Sequence, residues 1–127
     1  MHPYASIDIE TASPVALVAK LLAAATRHVR AARDAAGDAR LRGRASSRAL
    51  DILGELRDAL SMEQGGEIAR NLDALYAFAC SSIVDGTRGR AGAFDAALRA
   101  IEPLEQAWAE LAQRPAPTAP TAPSVAP

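Results

Sequence analysis

Leu60-Ser61-Met62-Glu63-Gln64-Gly65-Gly66-Glu67-Ile68-Ala69-Arg70-Asn71-Leu72-Asp73-Ala74-Leu75-Tyr76-Ala77-Phe78 is the stretch whose reading decides the fold. An apolar pattern ends at Leu60, a short polar turn with two glycines follows, and Ile68, Leu72, Leu75, Ala79 and Ile83 then recur at helical spacing. Two adjacent glycines inside a helix cost roughly 2 kcal/mol relative to alanine, so they belong in a corner or a first turn. One helix therefore arrives here and another leaves. A corner this short makes the two antiparallel neighbours.

Outward from this corner the chain is a single domain's worth of sequence. Its 127 residues suffice for one core, half of them are apolar, and alanine supplies much of that half, which favours close-packed helices. An all-α class is the expectation, as an antiparallel four-helix bundle over residues 14–113. An N-terminal cap segment, extended or short helical, precedes it over 1–13, and a disordered tail rich in Pro, Ala and Thr follows over 114–127.

The helix limits follow from punctuation. Thr11-Ala12-Ser13-Pro14 is a helix start: Ser13 can accept from a free first-turn amide, and Pro14 loses nothing by lacking an N–H at the first helical position. Val15, Val18, Leu22, Ala25, Val29, Ala32 and Ala36 then alternate by three and four up to Gly37, with Leu17 and Leu21 broadening the stripe. The second helix is expected over about Arg44–Leu60, although Asp38 offers an earlier cap. It carries Ala45, Ala49, Ile52, Leu56 and Ala59 as one stripe and Leu50, Leu53 and Leu60 as a second. The third is expected from Gly65 or Gly66 to Asp85 on the Ile68–Ile83 seam, with Tyr76 and Phe78 on opposite flanks. The fourth, after a glycine-rich corner at 86–90, has Phe94, Ala97, Ile101, Leu104, Trp108 and Leu111 as its seam. Pro103 predicts a kink between about Arg99 and Pro103.

Composition excludes several functions. A net charge of −1 argues against a nucleic-acid binder, which would be strongly basic. Charge is nonetheless uneven: seven arginines between Arg27 and Arg48 meet only Asp34 and Asp38, a basic shoulder that reads as a solvated face or as a docking patch for an acidic partner. Cys80 is the single cysteine, so no internal disulfide forms, and two histidines make no zinc cluster. No metal and no cofactor are expected. No apolar run reaches the roughly 18 residues of a membrane span and no signal peptide is visible, so stable membrane insertion is not expected and the reading is cytoplasmic. No catalytic residues are expected either, because neither a di-iron carboxylate pattern nor a nucleophile–base pair can be assembled.

The residue identities of the corner go further than its geometry. Met62-Glu63-x-Gly65-Gly66-Glu67-Ile68-Ala69-x-Asn71-Leu72-x-x-Leu75-Tyr76-x-Phe78 closely resembles the signature of the flagellin export chaperone family, FliS. Two further motifs stand in the right order. Tyr4 lies seven residues before Thr11 of Thr11-Ala12-Ser13-Pro14, as in that family, and Trp108 is a late tryptophan in the last helix. Val15-Ala16 replace the acidic residues common after the proline, and Ser61 stands where an aspartate is frequent. The resemblance implies a small helical bundle in the cytoplasm of a flagellated bacterium. It would bind the disordered C-terminal segment of flagellin, prevent premature polymerisation and assist export through flagellar export gate components.

The surplus apolar face of the second helix, with flanking parts of the third, is the expected partner groove: Leu50, Leu53, Leu60 and Phe78. Tyr4, Ile7 and Ile9 form an apolar strip that would cover this surface when no client is bound, which is also what the resemblance implies. The alternative is a signalling bundle, acting in dimerisation or in phosphotransfer through His28. Val29, Arg30, Ala31 and Ala32 follow that histidine, not the lysine-glycine pair such modules usually carry.

Overall fold

The computed structural model describes residues 13–35 and 37–115, and only the backbone of residues 62–64. Four α-helices account for this region: α1 (Pro14–Asp34), α2 (Ala39–Asp58), α3 (Met62–Thr87) and α4 (Ala93–Gln113). Each begins or ends for a local reason. The Ala16 N–H donates to Ser13 Oγ at 3.0 Å with Pro14 in the first turn, so α1 starts where the motif places it. It closes three residues before Gly37, its end satisfied by the Ala35 N–H donating to the carbonyls of Ala31 and Ala32. Asp38 then caps α2, accepting from the Leu41 N–H at 3.1 Å. The second helix accordingly begins at Ala39, five residues ahead of the expected Arg44, with Gly43 inside it. The Asp38 cap offsets the cost of the half-buried Gly43, each being worth about 1 kcal/mol.

The central corner is tighter than expected. One helical turn forms over residues 62–65, and the break lies at Gly66, whose φ of 55° and ψ of −127° only glycine adopts readily. Gly89 and Gly92, at φ of 91° and 78°, turn the chain between α3 and α4. The last helix runs on through Pro103 as one element to Gln113.

Ion pairs fix the register. Arg30 reaches Glu102 at 2.6 Å and Arg33 reaches Asp95 at 3.2 Å, so positions rising along α1 meet positions falling along α4 and the two are antiparallel. Arg57 on α2 holds Asp73 on α3 at 2.8 Å. α1 packs against α2 and α4, α3 packs against the same two, and α1 and α3 lie on the diagonal, an antiparallel four-helix bundle.

The core takes Leu22, Ala25, Val29 and Ala32 from α1, Ala49, Leu53 and Leu56 from α2, Tyr76, Ala79 and Ile83 from α3, and Phe94, Ala97, Leu98 and Ile101 from α4. The seam of α1 follows the expected frame as far as Ala32, Ala36 lying outside the described residues. That of α4 follows it from Phe94 to Trp108, with Leu104 and Trp108 half-buried against the core, while Leu111, expected in the seam, is exposed at the end of the helix. Those of α2 and α3 do not. On α3 the inward frame is Ala69, Leu72, Tyr76, Ala79 and Ile83, a three-four alternation that turns Ile68 and Leu75 outward. On α2 it is Ser46, Ala49, Leu53 and Leu56, so Leu53 is a core residue with no exposed surface. That corrects its expected place in an open groove.

Candidate partner-binding surface

Because the helices alternate in direction, one end of the bundle collects the start of α1, the end of α2, the start of α3 and the end of α4. Apolar side chains are left uncovered there. Ile68 is 71% exposed, and Leu111, Leu75 and Leu17 are each about two-fifths exposed. Ala59 and Leu60, at the end of α2, form with Gly65, Ile68, Ala69 and Leu72 an apolar depression of about 350 Å³ beside the central corner. Phe78, 53% exposed, continues the α3 stripe three residues beyond Leu75 and lines a second depression against Ala93 and Ala96 of α4.

The stripe exists because α3 is apolar around more of its circumference than its neighbours cover. At 100° per residue Ile68, Leu72, Leu75 and Phe78 fall within an arc of about 120°, centred about 100° from the inward face of Tyr76 and Ala69. Tyr76 is 2% exposed, with burial pushing its phenol above the ordinary value, and it stands in the core where Leu75 was expected. Contiguous exposed apolar surface of this kind marks a site of interaction.

The residues expected to form one groove are not all together. Leu60 lies in the depression with Ile68 and Leu72. Leu50 is half-buried against the core, on the side of α2 from which Arg57, two turns on, reaches Asp73. Five residues separate Asp73 from Phe78, about 140° around α3, so Phe78 opens toward α4 and Leu50 toward the opposite seam. Tyr4, Ile7 and Ile9 lie outside the described residues. Ile68 and Leu75 are the members that sequence reasoning missed as surface residues. The signal was present in the strict three-four spacing of Ala69, Leu72, Tyr76, Ala79 and Ile83, which competes with the Ile68 frame.

The electrostatics offer little chemistry. The Arg57 guanidinium, by hydrogen bond and charge, holds the Asp73 carboxyl below its ordinary value, and the pair clasps α2 to α3. Burial pushes the Cys80 thiol up, with Arg57 pulling the other way, so the thiol stays protonated at neutral pH. Burial and the neighbouring Arg48 and Arg27 push His28 down. Among the described residues no three His, Cys, Asp or Glu side chains are grouped to hold a metal, and no helix is long and apolar enough to cross a membrane.

Comparison with known proteins agrees with this architecture. The family model for flagellar protein FliS matches residues 1–115. The flagellar secretion chaperone FliS of Vibrio cholerae serotype O1 is 33% identical over 111 residues, covering 84% of this chain and 82% of that protein. The flagellar secretion chaperone FliSB of Pseudomonas aeruginosa is 33% identical over 91 residues, covering 67% of this chain and 72% of that one. A four-helix bundle with an uncovered apolar stripe, the Ser13-Pro14 helix start and a match over nine-tenths of the chain converge: the protein belongs to the FliS family of flagellar secretion chaperones.

Proposed function

We propose that this chain is a cytoplasmic chaperone that binds the disordered C-terminal segment of flagellin, prevents its premature polymerisation and hands it to flagellar export gate components. The observation that carries the reading is the set of apolar side chains on α3, Ile68, Leu75 and Phe78, left uncovered by the bundle's own packing. A flagellin terminus that forms coiled coil in the filament carries amphipathic stripes that self-associate when bare. A bundle with surplus apolar surface covers them. Coupled folding and binding of this kind buries about 1,000–3,000 Å², with roughly 2–5 kcal/mol offset by ordering the client, so the complex is tight and still releasable.

The contacts proposed are Leu50 and Leu60 at the edges of α2, together with Phe78 and its exposed α3 neighbours. Tyr4, Ile7 and Ile9 would act as a competitor for this surface, displaced by the client. Isothermal titration with flagellin, intact and lacking its C-terminal segment, tests the reading. Binding that vanishes with the truncation supports it, and no binding to intact flagellin refutes it. Ile68→Asp with Phe78→Asp, both exposed, should weaken binding roughly tenfold or more. Deleting residues 1–12 should tighten it, and unchanged affinity would remove the competitor role.

A further inference from the structure

The groove between α1 and α2, toward the other end of the bundle, carries an inference beyond flagellin binding. Its walls are His28 and Ala31 from α1 and Leu41, Arg44, Ala45 and Arg48 from α2, around a hollow of about 350 Å³. Arg27 and Arg48 are near enough to His28 to lower its pKa by charge. We propose that this groove docks an acidic amphipathic helix of a second protein, seating an apolar side chain against Leu41, Ala31 and Ala45 and setting two carboxylates, one helical turn apart, against Arg44 and Arg48.

Charge complementarity supports that occupant. Arg30 and Arg33, on the same stretch of α1, are engaged by Glu102, Asp95 and Asp34. Arg27, Arg44 and Arg48 make no ion pair among the described residues, although all three are exposed. The nearby acids are committed elsewhere or stand apart. Asp38 caps α2, Asp34 holds Arg33, and Asp51, three residues beyond Arg48, pairs with none of these arginines. Spacing supplies the rest. Arg44 and Arg48 are four residues apart on one helix face, about 6 Å between Cβ atoms, which matches carboxylates one turn apart on a facing helix. Leu41, three residues before Arg44, is 51% exposed, a large apolar side chain among guanidinium groups.

That leucine and the two alanines distinguish an acidic helix from a phosphate polymer. Nucleic acid would engage the arginines and gain nothing from the apolar floor, whereas an amphipathic helix uses both. Bidentate pairing with carboxylates also suits guanidinium groups with no internal partner. The groove lies away from the Ile68–Phe78 stripe, so a chaperone holding its client keeps it available.

The test is fluorescence anisotropy of the full chain with a labelled synthetic peptide of about five helical turns, with glutamates four apart along one side of a leucine row. A peptide of the same composition in permuted order and a single strand of thymidylate of equal charge are the controls. Saturable binding is expected, weakened roughly tenfold or more by Arg44→Glu with Arg48→Glu, weakened by Leu41→Ser, and unaffected by Arg70→Glu at the other end. Circular dichroism melts establish that the variants fold. If the double reversal does not fold, Arg48→Gln and Leu41→Ser carry the comparison. Equal binding of the permuted peptide or the thymidylate strand, or binding indifferent to Arg48 and Leu41, overturns the proposal.

Discussion

Ser46 shows how a single atom can work against a core. Its hydroxyl is buried on the inner face of α2 with no hydrogen-bond partner, whereas Thr26, equally buried on α1, donates to the Leu22 carbonyl at 2.9 Å. Removing an unpaired buried hydroxyl relieves its desolvation, so Ser46→Ala should raise stability by up to about 1 kcal/mol, read as a higher midpoint in urea unfolding. Gly86 has the opposite sign. A Cβ there would stand 2.7 Å from the Phe94 ring, which is buried beneath the corner between α3 and α4 and has nowhere to go. Gly86→Ala should destabilise by about 1–3 kcal/mol in the same measurement. Neither residue announces itself in the sequence: Ser46 falls one position from the expected stripe of α2, and Gly86 reads as loop.

Among the elements, α2 and α3 each contain a glycine whose replacement separates helix propensity from backbone geometry. Gly54 lies within α2 at ordinary helical geometry, and a Cβ there meets nothing within 4 Å. Gly54→Ala should therefore stabilise by about 0.5–1 kcal/mol. Gly66 also has free space for a Cβ, but its φ of 55° with ψ of −127° strains any other residue by about 1–3 kcal/mol. Gly66→Ala should lower the thermal midpoint while Gly54→Ala raises it; equal effects would mean that the break at Gly66 is not held in solution. The helix starts were legible because caps are local: Ser13 and Asp38 satisfy amides three residues away. The start of α2 precedes the expected Arg44 because the Asp38 cap sets it, and the helix carries Gly43 within its first turns.

At the scale of the whole molecule, the alternation of helix direction sorts the chain into an apolar end around Leu60 and Ile68 and an arginine-rich end around Arg33, Arg44 and Arg90. One consequence is pH-dependent stability. His28, between Arg27 on its own helix and Arg44 and Arg48 across the groove, has its pKa lowered from the ordinary 6.5, first by burial and then by Arg48 and Arg27. The unfolded chain then binds that proton more readily than the folded one, so stability is full above about pH 6.5 and falls as pH drops below it. His28→Gln should flatten this part of the profile, followed by urea midpoints between about pH 5 and 7.5. Asp73, held low by Arg57, contributes stability that is lost at lower pH, below about 4, and Asp73→Asn should remove only that limb. The sequence by itself determined four helices, their order, their antiparallel corners and the inward frames of α1 and α4, because each of those helices carries one dominant three-four alternation. It could not choose between the overlapping frames of α2 and α3, since Leu50 and Leu53, or Leu75 and Tyr76, are comparable apolar side chains only one to three positions apart. Only the packed bundle decided, by burying the frames that place Leu53 and Tyr76 in the shared core and leaving Ile68, Leu75 and Phe78 exposed on the outside of α3.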